Sequence, residues 1–149
     1  MQMEDIKNLR EKTGAGIMQV KKALEESKGD LKKAEKILIQ KGVEMAEKKS
    51  ERATCAGLID CYIHLGKIGA MAEVNCETDF VARNEEFKTF VHEVALQAAT
   101  SEATNVEELL AEPYFKDQTK TIDNLLKEVI GKTGENIKIK RFTRFSLGN

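Results

Sequence analysis

Ile59-Asp60-Cys61-Tyr62-Ile63-His64-Leu65-Gly66-Lys67-Ile68-Gly69-Ala70-Met71-Ala72-Glu73-Val74-Asn75-Cys76 is two runs of alternating character on either side of a glycine. Ile59, Cys61, Ile63 and Leu65 alternate with Asp60, Tyr62 and His64; Ile68, Ala70, Ala72, Val74 and Cys76 then alternate again. A period of two marks a strand, because successive side chains leave a strand on opposite faces. Two such runs around Gly66-Lys67 predict a β-hairpin, and a glycine in the first loop position suits a type II′ turn.

Working outward, Glu77-Thr78-Asp79-Phe80-Val81-Ala82-Arg83-Asn84 forms a corner between the hairpin and a helix. Phe87, Val91, Val94 and Ala98 form one apolar stripe, so that helix runs from about Asn84 to Thr100. Asn105-Val106-Glu107-Glu108 resembles a capping box, and Pro113 ends what it starts. Ile122, Leu125, Leu126, Val129 and Ile130 form a further stripe, closed by Gly131. Residues 136–145 alternate as a third strand whose pattern slips near Arg141-Phe142, the mark of a bulge. The order predicts an α+β fold: a three-stranded antiparallel sheet with helices on one face, over residues 55–149.

Upstream, residues 1–43 read as a three-helix module. Ile6 and Leu9 mark the first helix, Ile17, Val20 and Leu24 the second, and Leu31, Ala34 and Leu38 the third. Asp30 is a good N-cap for the third helix, and Gly42 is expected to end it. Residues 44–54, mostly charged or small, read as a linker.

Bulk properties exclude several classes. The chain has 149 residues, 33% of them charged and only 5% aromatic. No apolar run approaches the ~20 residues that span a bilayer, and the acidic start is unlike a signal peptide, so a cytoplasmic protein is expected. Cys55, Cys61 and Cys76 lack metal-ligand or paired-disulfide spacing and read as small buried apolar residues. Residues 1–53 carry 13 Lys/Arg against 10 Asp/Glu, whereas residues 73–128 carry 5 against 13. The acidic middle suits a protein partner better than nucleic acid.

Catalytic motifs fail on inspection. Gly14-Ala15-Gly16 would need its third dinucleotide-fingerprint glycine at Gln19, and Gly131-Lys132-Thr133 would need a glycine at Leu126 to complete a phosphate loop. His64 and His92 have neither a nucleophile nor an orienting acid nearby in the pattern, and read as surface or strand-face residues. No cofactor or metal and no bond-breaking chemistry is expected. Met18, outside its helix's apolar stripe, suits a protein contact or a frayed core edge. Thr78 can cap a helical turn and Asp79 favours that terminus. Phe80 lies seven residues before Phe87: on a continuous helix it fills the core, and on a rigid corner it is a probe held out for a partner.

Two stretches carry a resemblance. Leu9-Arg10-Glu11-Lys12-Thr13-Gly14-Ala15-Gly16-Ile17-Met18-Gln19-Val20-Lys21-Lys22-Ala23-Leu24 is similar to the ubiquitin-associated-like (UBA-like) module of the elongation factor Ts family, and Val74-Asn75-Cys76-Glu77-Thr78-Asp79-Phe80-Val81-Ala82-Arg83-Asn84 to its core signature. Gly134-Glu135-Asn136-Ile137 and Arg141-Phe142 fit its closing strand. The resemblance implies a guanine nucleotide exchange factor for elongation factor Tu. It assigns Thr78, Asp79, Phe80 and Val81 to the segment that enters the GTPase domain and dislocates Mg²⁺ from the bound GDP, and Arg10, Ile17 and Met18 to the module that grips the same domain. Gln19 stands where the family usually has Asp. Long members carry a second core half and a coiled coil for which this chain has no room; short members form homodimers, which the resemblance implies here, with the 137–147 strand as the candidate interface. The competing reading is a non-catalytic protein-binding module acting through the UBA-like helices.

Overall fold

The computed structural model describes residues 2–149. Three helices come first: α1 (Met3–Thr13), α2 (Ile17–Glu26) and α3 (Leu31–Lys49). Their own small core holds Ile6, Leu9, Val20, Ala23, Leu24, Ala34 and Leu38. Gly14 ends α1 in the left-handed conformation (φ 69°), which glycine adopts without steric cost. The Asp30 side chain accepts the Lys33 N–H and starts α3.

α3 differs from the expectation. It passes through Gly42 and runs to Lys49, so most of the 44–54 segment is helix. Its two ends serve different cores: Ala34 and Leu38 belong to the N-terminal cluster, Ala46 to the larger one. A helical glycine costs about 1 kcal/mol relative to alanine; burial of Ala46 and the packing of α3 on a later helix, α7 (Ile122–Thr133), oppose that cost.

The larger unit begins with β1 (Ala56–His64) and β2 (Ile68–Cys76), antiparallel as expected. Their loop is a residue longer and set earlier than a Gly66-Lys67 turn. Leu65 (φ 52°) and Gly66 (φ 67°) are both left-handed, the sign pattern of type I′ rather than II′, and the Lys67 N–H donates to the His64 carbonyl at 2.9 Å. Then come α4 (Asp79–Ala82), α5 (Glu85–Thr100) and α6 (Val106–Ala111), a two-strand ribbon of β3 (Pro113–Tyr114) and β4 (Asp117–Thr121) that the pattern did not announce, α7 (Ile122–Thr133) and β5 (Ile137–Ser146). Asn105 caps α6 by accepting the Glu108 N–H at 2.8 Å. α7 continues past Gly131 and ends at left-handed Gly134. Again a mid-helix glycine is overruled by packing.

The sheet order is β1-β2-β5, all antiparallel. The bulge falls at Lys140, because Glu73 faces Arg141 while Val74 faces Ile139. Glu73 ties it down through Arg141 Nε at 2.9 Å and Lys140 Nζ at 3.7 Å. Burial pushes the Glu73 carboxyl up, but the Arg141 hydrogen bond and the two cationic charges outweigh it and hold it below the ordinary range. Helices cover one face only, with α5, through its stripe of Phe87, Val91, Val94 and Ala98, in one core with Ala70, Ala72, Val74 and Cys76.

Register decides what the alternation of β1 could not. Asp60 pairs with Ala72 and Tyr62 with Ala70, so Asp60 and Tyr62 share the helix-covered face. Ile59, Cys61 and Ile63 lie on the open face, where Met71 and Phe145 are exposed as well. The apolar sets of the two hairpin strands thus point to opposite sides of the sheet. Of the three cysteines only Cys76 is buried; Cys55 and Cys61 are exposed, against the expectation for both.

Candidate functional site

The corner after β2 is built from local caps and one distant anchor. Thr78 is extended (φ −129°, ψ 156°), and its hydroxyl oxygen accepts the Val81 N–H at 3.4 Å, starting α4. Asp79 follows at the N-terminus, where a negative charge is favoured by the exposed N–H groups. The turn closes after four residues: the Arg83 N–H and Nε–H both donate to the Asp79 carbonyl at 3.2 Å, and the Asn84 N–H to the Val81 carbonyl at 2.9 Å. Asn84 then caps α5 by accepting the Glu86 N–H at 2.8 Å. Two helices therefore stand where periodicity allowed one, and the break between them takes Phe80 off the buried stripe.

Phe80 does not fill the core: it is 82% exposed while Phe87 is fully buried. Its neighbours hold the backbone in place. Ala82 is buried and Val81 packs against the core. The Arg83 guanidinium lies 5.8 Å from the Phe80 ring centroid, in reach of the ring's negative face. A large apolar ring is thus kept in water on a well-packed corner.

The distant anchor is Glu135, which the sequence pattern did not single out. One carboxylate oxygen accepts the N–H groups of Thr78 (2.9 Å) and Glu77 (3.1 Å); the other accepts the Thr78 hydroxyl at 2.6 Å. Glu77 replies by accepting the Asn136 N–H at 2.7 Å. The buried Asn136 side chain donates to the carbonyls of Arg52 (2.7 Å) and Ser50 (3.2 Å), just past α3. Cys76 lies beneath, its Sγ 3.2 Å from the Thr78 carbonyl oxygen. Burial, reinforced by the Glu135 charge, pushes its thiol up and leaves it protonated.

The second group of expected contact residues lies on the N-terminal module. Arg10 on α1 and Ile17 on α2 line one shallow groove with Met3, Ile6, Lys7 and Lys21. Ile17, expected among the apolar markers of α2, is 48% exposed, and Met18 is 66% exposed beside it. Gln19 Oε1 accepts the Gly16 N–H at 3.0 Å, so the Gln here serves as a cap for α2. His92 pairs with Asp60 and His64 with the Tyr62 hydroxyl. No cluster of three or more His, Cys, Asp or Glu side chains suited to a metal occurs among the described residues.

Comparison with known proteins bears on this arrangement. The family model described as Elongation factor TS matches residues 77–149, a span that opens at the corner and contains its anchor. A Coprothermobacter proteolyticus protein named Elongation factor Ts is 43% identical over 189 residues, covering 96% of each chain. The chain belongs to the elongation factor Ts family. The Elongation factor Ts of Rippkaea orientalis is 42% identical over 192 residues, 97% of this chain and 77% of that one. That of the Nostoc strain is 51% identical over 143 residues, yet this chain spans only 45% of its length. Alignments of 189 and 192 positions exceed the 149 residues of this chain, so those Elongation factor Ts relatives carry additional residues inside the aligned span.

Proposed function

We propose that this member of the elongation factor Ts family promotes guanine nucleotide exchange on elongation factor Tu by a two-point engagement. Arg10, Ile17 and Met18 hold the GTPase domain, and the Thr78–Val81 corner enters it. The Phe80 ring disturbs the coordination of Mg²⁺, whose charge balances the GDP phosphates, and GDP leaves faster. The Mg²⁺ and GDP belong to the partner; the chain contributes shape and binding energy, with no bond made or broken, and works in the cytoplasm alongside the elongation machinery. The carrying observation is the exposure of Phe80 on a doubly capped corner. Release of labelled GDP from elongation factor Tu, with and without the chain, tests it. No acceleration would leave the binding-module reading in its place.

The homodimer belongs to the same proposal, through the open sheet face rather than the edge of β5. Ile59, Ile63, Met71 and Phe145 are 49–74% exposed on that face, with Leu65 and Leu147 at one end. Several large apolar side chains exposed on one face mark an interaction surface. Two copies related by a two-fold axis can stack their sheets face to face and cover it.

Among the described residues, no helix is long and apolar enough to cross a membrane.

A further inference from the structure

We propose that Glu135 is a positioning residue for exchange: it fixes the direction in which Phe80 leaves the corner, and with Asn136 it ties that direction to α3 and hence to the N-terminal module. This rests on the exchange reading above. The geometry points to it for three reasons.

First, local caps alone leave the corner under-determined. The Thr78–Val81 cap is long, at 3.4 Å, and α4 has only four residues. A single helical turn fixes several backbone angles for very few hydrogen bonds and is unstable by itself. Glu135 supplies what is missing. Its carboxylate binds two successive N–H groups and the capping hydroxyl itself. Hydrogen bonds to an ionised acceptor are shorter and stronger than neutral ones.

Second, the hydroxyl of Thr78 is used twice. It donates to Glu135 and accepts from Val81, so the carboxylate orients the lone pair that starts α4. Phe80 sits within that turn, and a small rotation at Thr78 swings its ring.

Third, the clamp joins parts far apart in the chain. Glu135 holds the corner, while its neighbour Asn136 holds the carbonyls of Ser50 and Arg52 and donates its own N–H to Glu77. The end of α3 and the corner are therefore fixed to one dipeptide. α3 carries the core of the module that holds Arg10, Ile17 and Met18, so the clamp sets the spacing between the two contact surfaces.

The test is a kinetic split with Glu135→Ala, Phe80→Ala and the double variant. Labelled-GDP release is followed against rising concentration of the chain, alongside amide exchange of the free chain. A misplaced ring lowers the maximal rate and leaves the half-saturating concentration within about twofold, since the module contact is intact. A mere loss of folded protein does the reverse. Glu135→Ala is expected to reduce the maximal rate at least tenfold, and the double variant to be no slower than Phe80→Ala alone. Glu135→Gln keeps one oxygen for the two N–H groups but places an NH2 where the Thr78 hydroxyl donates, so it is expected to recover only part of the rate. An unchanged maximal rate, or a further drop in the double variant, would overturn the proposal. Should the wild-type chain fail to accelerate release, the exchange reading falls, and amide exchange decides the positioning claim separately. Residues 77, 78 and 81 must then exchange at least tenfold faster in Glu135→Ala, while buried α5 amides stay protected; unaltered protection there would refute it.

Discussion

Replacing Phe80 by alanine separates the two possible roles of this residue, because they predict opposite outcomes. In the free chain the ring is 82% exposed, so its removal leaves no cavity. What is lost is the contact with Arg83, worth about 0.5–1 kcal/mol for an exposed cation–aromatic pair. For a chain of this size that lowers the melting temperature by about 3 °C at most. In the complex the loss is larger. A Phe buries roughly 150–250 Å², and most of that area is available here. At about 25 cal/mol per Å², and allowing for the Cβ that alanine keeps, the ring is worth about 3 kcal/mol, roughly a hundredfold. If the ring reaches its seat only as Mg²⁺ coordination is disturbed, this loss appears in the maximal rate of GDP release and not in the half-saturating concentration. Stopped-flow release of a fluorescent GDP from elongation factor Tu, at saturating chain, reads it directly. A fall in melting temperature of ten degrees or more would show that Phe80 supports the core. A maximal rate within twofold of wild type would refute the wedge.

Arg10→Ala and Met18→Ala remove contacts from the module and should each raise the half-saturating concentration about 5–30-fold, or 1–2 kcal/mol, with the maximal rate unchanged; the same titration checks them. Ile63→Lys puts a charge into the open sheet face, where Ile63 is 68% exposed, and should convert a concentration-dependent dimer to monomer in sedimentation without lowering the monomer's stability by more than about 0.5 kcal/mol. Tyr114 gives an alkaline signature: burial, with Glu93 beside it, pushes its hydroxyl up to about 12. The folded pKa exceeds the unfolded one near 10, so the stabilisation is complete below pH 10 and is lost as pH rises through 12. Tyr114→Phe should flatten that part of the pH–stability curve; denaturant melts at pH 9 and 11.5 that fall equally in both proteins would contradict it.

What could be read from the sequence was local. Asp30, Thr78 and Asn105 announce their helices because a cap needs only a side chain and an N–H three residues on. The hairpin was visible in the period of two. Three things were not. Gly42 and Gly131 look like helix ends, and the packing of α3 on α7 overrides them. Alternation shows that Ile59, Cys61 and Ile63 share a face, but which face depends on the register with β2, a property of the pair. The anchoring role of Glu135 carries no local signal, since its partners Glu77 and Thr78 lie 58 and 57 residues away. The corner's direction is a tertiary fact, whereas its existence is a local one.

Two of the places where this chain breaks the burial rule are instructive together. Phe80 and the open face of the sheet both leave large apolar side chains in water, and sites where local rules fail are where function is expected. They fail in different ways. The sheet face is broad, with side chains from all three strands, suited to a symmetric contact that adds stability. Phe80 is a single ring on a clamped turn, suited to doing work on a partner. Work of that kind has a thermodynamic limit. If binding of the chain weakens GDP by some factor, GDP must weaken the chain by the same factor. On the proposed two-point engagement, affinity gained at Arg10, Ile17 and Met18 would keep the partner without changing that factor, while energy spent through Phe80 would set it. A rigid link between the two is what allows binding at the first to be applied at the second. In this chain the link runs through continuous α3, Asn136 and Glu135. Loosening it should therefore uncouple tight binding from fast release while leaving both surfaces intact.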